Sequence, residues 1–139
     1  MIELIMVFVI IGVVVAVAAP RVSRSTRAVK LDRARRTVAT DIQMAASLAA
    51  RHRKPVRLVR FATGTGYQVE ERAATPTVYL RRDYGPTSEY TLSTLTFAPE
   101  TTYFFPNGIA SNALTVTMAA DGPAKQVTMT SAGFVRVPR

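Results

Sequence analysis

The side chain in this 139-residue sequence whose chemistry is hardest to satisfy is Glu3, the only charged residue among the first twenty. Behind it, Leu4 to Ala19 contains no charged or strongly polar side chain. A carboxylate held near the centre of a membrane costs on the order of 2.5–3.5 kcal/mol and needs a compensating partner. At an interface the same group complements the positive end of its helix, worth roughly 0.3–1 kcal/mol. The other candidate groups do not assemble into a reactive set. His52 is the single histidine, set between Arg51 and Arg53 at a position that reads as an exposed junction. Glu70 and Glu71 are neighbours on a predicted strand, so they point to opposite faces and form no acid and base pair. Gly64-Thr65-Gly66 joins two predicted strands, opens no helix and lacks the lysine of a phosphate loop. With no cysteine and no His/Cys/carboxylate spacing suited to a metal, the sequence reads as non-enzymatic, with no catalytic residue, cofactor or metal expected.

The elements that carry these residues follow from hydrophobic pattern. A helix built from Leu4 to Ala19 is apolar on every face, so it needs lipid or other proteins around it. Its sixteen residues span roughly 24 Å, a little short of the ~30 Å hydrocarbon core, which makes a marginal membrane span. A secretory signal peptide is the rival reading, but the basic segment that opens one is missing. Pro20 follows directly and is expected to bend a helix that crosses it. From Arg21 to Ala50, apolar Leu31, Val38, Ile42, Ala45 and Ala49 recur at helical spacing as one narrow stripe. Arg51, His52, Arg53 and Lys54, followed by Pro55, mark the end.

The result is one helix of about 50 residues, roughly 75 Å long. The remainder, 55–139, is a domain whose radius of gyration is near 12 Å and which cannot cover such a rod. Only the C-terminal half of the helix can lie on it. Three parts are expected: 1–20 as an apolar transmembrane or assembly half, 21–54 as a basic amphipathic half, and 55–139 as a β-rich head.

Within the head, Val56–Phe61, Tyr67–Glu70, Thr77–Leu80, Tyr90–Phe97, Thr102–Phe105, Leu114–Met118, Gln126–Thr130 and Phe134–Val137 are rich in β-branched and aromatic residues. Turn sequences such as Pro106-Asn107-Gly108 and Asp121-Gly122-Pro123 separate them. The fold class is α+β, with the long helix packed on an antiparallel sheet or small sandwich.

Charge is unevenly placed. Residues 21–60 carry twelve of the 18 basic residues and two of the nine acidic ones, and the chain's net charge is +9. Such a band suits DNA phosphates, with salt-sensitive binding. Lipid headgroups are the alternative target for Arg21, Arg24, Arg27 and Lys30. The positive-inside rule pulls the arginines after Pro20 toward the cytoplasm, although long domains translocate largely regardless of charge.

Ile2-Glu3-Leu4 followed by Val7-Phe8-Val9-Ile10-Ile11-Gly12 and ending at Pro20 resembles the mature start of type IV pilins and pseudopilins. His52-Arg-Lys-Pro-Val-Arg-Leu58, Phe104-Phe-Pro-Asn-Gly-Ile-Ala-Ser-Asn112 and Ser131-Ala-Gly-Phe-Val-Arg-Val137 are similar to segments of GspH/FimT-type minor pseudopilins. The resemblance implies a pilin-like fold and an assembly role for Glu3 and Pro20, with Glu3 meeting the free amine of a neighbouring subunit. It implies a precursor cut by prepilin peptidase after a Gly upstream of Met1 and held as a single span in the inner membrane. The head then lies in the periplasm, and the N-terminal helix later packs against other pilin or pseudopilin subunits in a filament.

Two roles follow from it: a structural minor pseudopilin of a type II secretion system, or a FimT-like minor pilin that binds DNA during natural transformation. For the second, the resemblance points to a terminal arginine pair. Arg136 matches its second member, Phe134 stands where the first would be, and Arg139 is the candidate substitute.

Overall fold

The computed structural model describes residues 2–138, the side chains of 17–24 excepted. Helix α1 runs from Ile2 to His52, 51 residues, and passes through Pro20 without a break. At 1.5 Å per residue it is about 77 Å long. Its stripe lies where the periodicity placed it: Leu31, Val38, Ile42, Ala45 and Ala49 are all buried, joined by Ala34. The helix ends at Arg53, which takes a left-handed conformation (φ 54°) and donates its backbone N–H to the Ala50 carbonyl. Pro55 follows, so the chain leaves the helix as a strand.

Eight strands complete the chain: β1 (Val56–Arg60), β2 (Gly66–Glu71), β3 (Val78–Asp83), β4 (Thr94–Ala98), β5 (Thr101–Phe104), β6 (Leu114–Ala119), β7 (Lys125–Met129) and β8 (Val135–Arg136). They form two four-stranded sheets, ordered β3-β2-β1-β5 and β4-β6-β7-β8, with every pairing antiparallel. The short β4–β5 connection carries the chain from the second sheet to the first. Helix α1 packs on β1 and β5 of the first sheet and on β6, β7 and β8 of the second.

Alternation explains how both sheets face the helix. In β6, Leu114, Val116 and Met118 are buried while Thr115 and Thr117 are not; in β1, Val56 and Leu58 are buried between more exposed neighbours. Residues two apart share a face, so each sheet offers one apolar side to α1. The buried residues of helix and sheets form a single core.

All eight expected strands are present; β3 runs to Asp83, three residues past its expected end, β8 is only Val135–Arg136, and the largest difference is at β4. The run expected from Tyr90 to Phe97 is a strand only from Thr94. Thr91 has a positive φ of 47°, which no strand residue holds, and the Tyr90 ring tilts against Tyr84 at 5.0 Å with its hydroxyl 3.3 Å from Thr37 Oγ1. Tyr90 to Ser93 therefore forms a loop folded onto the helix.

Candidate functional site: helix α1 and its seat on the head

Two opposite demands meet in α1. Along its N-terminal half, every large apolar side chain from Ile2 to Val15 is 52–79% exposed. Soluble surfaces rarely show so large a contiguous apolar area, and where one occurs it marks an interaction site. Glu3 lies in the first turn of this bare segment and is itself exposed. Pro20 falls within the helix, and its side chain lies outside those described. Among the described residues, no helix is long and apolar enough to cross a membrane.

The C-terminal half, by contrast, is pinned down. Asp41, nearly fully buried, accepts a 2.6 Å hydrogen bond from the Tyr67 hydroxyl of β2 and two bonds, 3.0 and 3.3 Å, from the Arg82 guanidinium of β3. The Tyr84 hydroxyl is 3.2 Å from that of Tyr67, and the two rings stack at 5.8 Å. Burial pushes the Tyr84 hydroxyl up to about 12, and it raises Tyr67 further. Hydrogen bonding to Asp41 raises Arg82 above the usual guanidinium value. Both phenols are therefore neutral donors at any physiological pH.

Ion pairs tie down the two ends of the seat. Near its start, Lys125 of β7 reaches Asp32 at 2.8 Å, and Arg35 lies 3.5 Å from the same carboxylate. The Lys125 hydrogen bond holds Asp32 below the ordinary carboxylate value. Arg35 also donates to the backbone carbonyl of Pro138, so the last described residue is bound to the helix. At the far end, Lys54 meets Glu71 at 2.7 Å, which lowers Glu71 and raises Lys54. His52 is exposed, as its position between arginines suggests, and stacks on the Tyr79 ring at 4.9 Å. Glu70 turns the other way, to Arg57 at 2.6 Å. A groove of about 460 Å³ lies between Leu31 of α1 and the turn from Ala120 to Lys125, bridged by an exposed Arg27–Asp121 contact at 3.3 Å.

Neither motif nor spacing singles out Asp41, Tyr67, Arg82 and Tyr84 in the sequence. One signal is present there: Asp41 sits directly before Ile42 of the buried stripe, where a carboxylate without a partner would be costly. Of the expected arginine pair, Arg136 is exposed on β8 opposite Thr128. Thr128 alternates with the buried Val127 and Met129, so Arg136 is on the side of the second sheet turned away from α1. Arg139 lies outside the described residues.

Known structures share this fold over about four fifths of the chain. Two crystal forms of the type IV minor pilin FimU of Pseudomonas aeruginosa have this fold. One has a TM-score of 0.63 at 17% identity over 78% of this chain and 93% of that one. The other has a TM-score of 0.63 at 19% identity over 82% and 92%. No curated protein matches the sequence. The family model described as "Type II transport protein GspH" matches residues 34–133, covering most of the seated half of the helix and nearly all of the head. The chain belongs to the GspH family and has the pilin-like fold of a minor pilin or pseudopilin subunit.

Proposed function

We propose that the protein is a minor pseudopilin of a type II secretion system, a structural subunit that enters a short periplasmic filament through α1. The observation that carries this is the bare apolar half of the helix, Ile2 to Val15, fixed to a head that leaves it uncovered. Other subunits offer the apolar surroundings that segment requires, and lipid offers them before assembly. In this assignment 1–20 is the assembly half, 21–54 the basic half and 55–139 the head. Glu3 meets a neighbouring subunit's amine, and Pro20 sets the helix path. Prepilin peptidase processing and a single inner-membrane span, with the head periplasmic, complete it. The span rests on the apolar run Leu4–Ala19.

Removing residues 1–20 tests the assignment. The truncated protein is expected to be a monomer that fails to co-purify with filaments, while the full chain does. Recovery of the truncated protein in filaments would overturn helix-driven assembly. Partition of the full chain into the membrane fraction, resistant to alkaline extraction, checks the anchor.

A second assignment, a minor pilin that binds DNA, is favoured by the exposed Arg136 and by the twelve basic residues of 21–60. It predicts retardation of duplex DNA at about 50 mM salt, falling steeply as salt rises. Arg136→Ala combined with Arg139→Ala is expected to abolish the shift.

A further inference from the structure

The side of the first sheet turned away from α1 has a chemistry different from the rest of the head. Val56 and Leu58 of β1 are buried toward the helix, so Arg57 and Val59 take the opposite face. Residues directly across a ladder share a face. Arg57 thus lies in one row with Tyr103 of β5 and Glu70 of β2, and Val59 in the next row with Thr101, Gln68 and, across β2, Arg81 of β3. Arg72, just past the end of β2, places its guanidinium 4.9 Å over the Tyr103 ring. Arg81 places its own 4.8 Å over the ring of Phe61, just past the end of β1. Both arginines are exposed, and among the described residues neither has a carboxylate partner.

Neither carboxylate on this face, Glu70 or Asp83, pairs with Arg72 or Arg81. Glu70 is buried, and both its oxygens are occupied, one by Arg57 at 2.6 Å and one by Gln68 at 2.8 Å. Asp83, at the end of β3, accepts a 2.8 Å bond from the Gly85 backbone N–H. Arg72 and Arg81 therefore keep their charge for a ligand. A guanidinium held over a ring face still has N–H groups to offer phosphate oxygens, and its planar π system can also stack with a base. Stacking on a ring also holds the arginine extended, which reduces the conformational entropy lost on binding. An open antiparallel sheet that presents arginines and rings together is a surface on which unpaired bases stack while their phosphates are neutralised. It has no protruding helix or ribbon to enter a duplex groove. Helix α1 packs on the other face of the sheet, so this one is not covered by the helix.

We propose that this face, through Arg72 and Arg81, binds single-stranded nucleic acid. The proposal shares with the DNA-binding assignment only the class of ligand, and it locates the contact away from Arg136.

The test uses the full chain in detergent micelles and the fluorescence anisotropy of a labelled twelve-nucleotide DNA strand, with the matching duplex alongside. The wild type is expected to bind the single strand at least as tightly as the duplex at about 50 mM salt. Arg72→Gln with Arg81→Gln is expected to weaken single-strand binding at least tenfold and to lower the salt slope by about 1.4, near 0.7 for each phosphate no longer neutralised. Each single variant gives part of that loss, and thermal melting shows whether each variant keeps the fold. If Arg136→Ala abolishes binding while the Arg72/Arg81 variant retains it, DNA binding stands and this site is wrong. A duplex preference of tenfold or more overturns the single-strand assignment. Absence of binding to either form removes both the site and the DNA-binding role.

Discussion

Asp41 of α1 and Arg82 of β3 meet in a two-point ion pair, Nε to Oδ2 at 3.0 Å and Nη2 to Oδ1 at 3.3 Å, at the seam between the helix and an edge strand of the first sheet. The Asp41 side chain is 3% exposed and that of Arg82 42%, so the acidic partner has given up nearly all its water and the basic one only part. Tyr67 supplies the third donor to the same carboxylate. Three donors from two strands converge on one helix residue, which fixes both the rotation of α1 and its height on the head. The direction in which the bare half of the helix projects follows from that geometry.

Asp41→Ala removes the acceptor for all three bonds and leaves the Tyr67 hydroxyl buried without it. The expected loss is about 2–3 kcal/mol, since an unsatisfied buried donor carries its full desolvation cost. Urea unfolding of the variant and wild type, compared at equal slope, measures it. A change below about 0.5 kcal/mol would mean that the network is dispensable.

Alkaline stability follows from the two buried phenols. Tyr84 is pushed up to about 12 and Tyr67 higher, whereas an unfolded tyrosine ionises near 10. Between those values the folded state holds more protons than the unfolded one, so stability is fully present below about pH 10 and falls as pH rises through about 12. Tyrosinate absorbance is expected to show a late phase that coincides with loss of the fold. Tyr84→Phe should diminish that phase.

On the acid side the sign reverses. Lys54 holds Glu71 below its ordinary value, so the unfolded chain takes up that proton first. The contribution is present above the ordinary carboxylate range near 4.3 and is lost as pH falls through the lowered folded value. Lys54→Ala is expected to flatten the decline of melting temperature below about pH 4.5 while changing the neutral-pH value less. An unchanged acid limb would show that the 2.7 Å pair adds nothing.

Arg53 terminates α1 in a left-handed conformation. A residue with a Cβ pays roughly 1–2 kcal/mol there, and glycine does not. Arg53→Gly is therefore expected to stabilise the head by up to about 1 kcal/mol, offset in part by loss of a cation near the helix C-terminus. A thermal melt shows the direction, and a lower midpoint would assign Arg53 a contact that outweighs its backbone strain.

Much of the architecture was legible because it depends on local pattern. Five apolar residues at helical spacing define the buried stripe of α1, and period-two alternation sets the faces of β4 and β6. The apolar run behind Glu3 determined by itself that the N-terminal half would lie outside the head, since an 85-residue domain (55–139) cannot enclose a rod of about 75 Å. Tertiary structure alone decided the rest. Strand order brings Arg82 to Asp41, 41 positions earlier, and the Arg72 guanidinium to the Tyr103 ring. It also turned Arg136 away from the helix and drew Tyr90 off the strand pattern onto Thr37. Hydrophobic periodicity is a property of neighbours along the chain, whereas a buried charge or a stacked cation is satisfied by residues that only the sheet register makes neighbours.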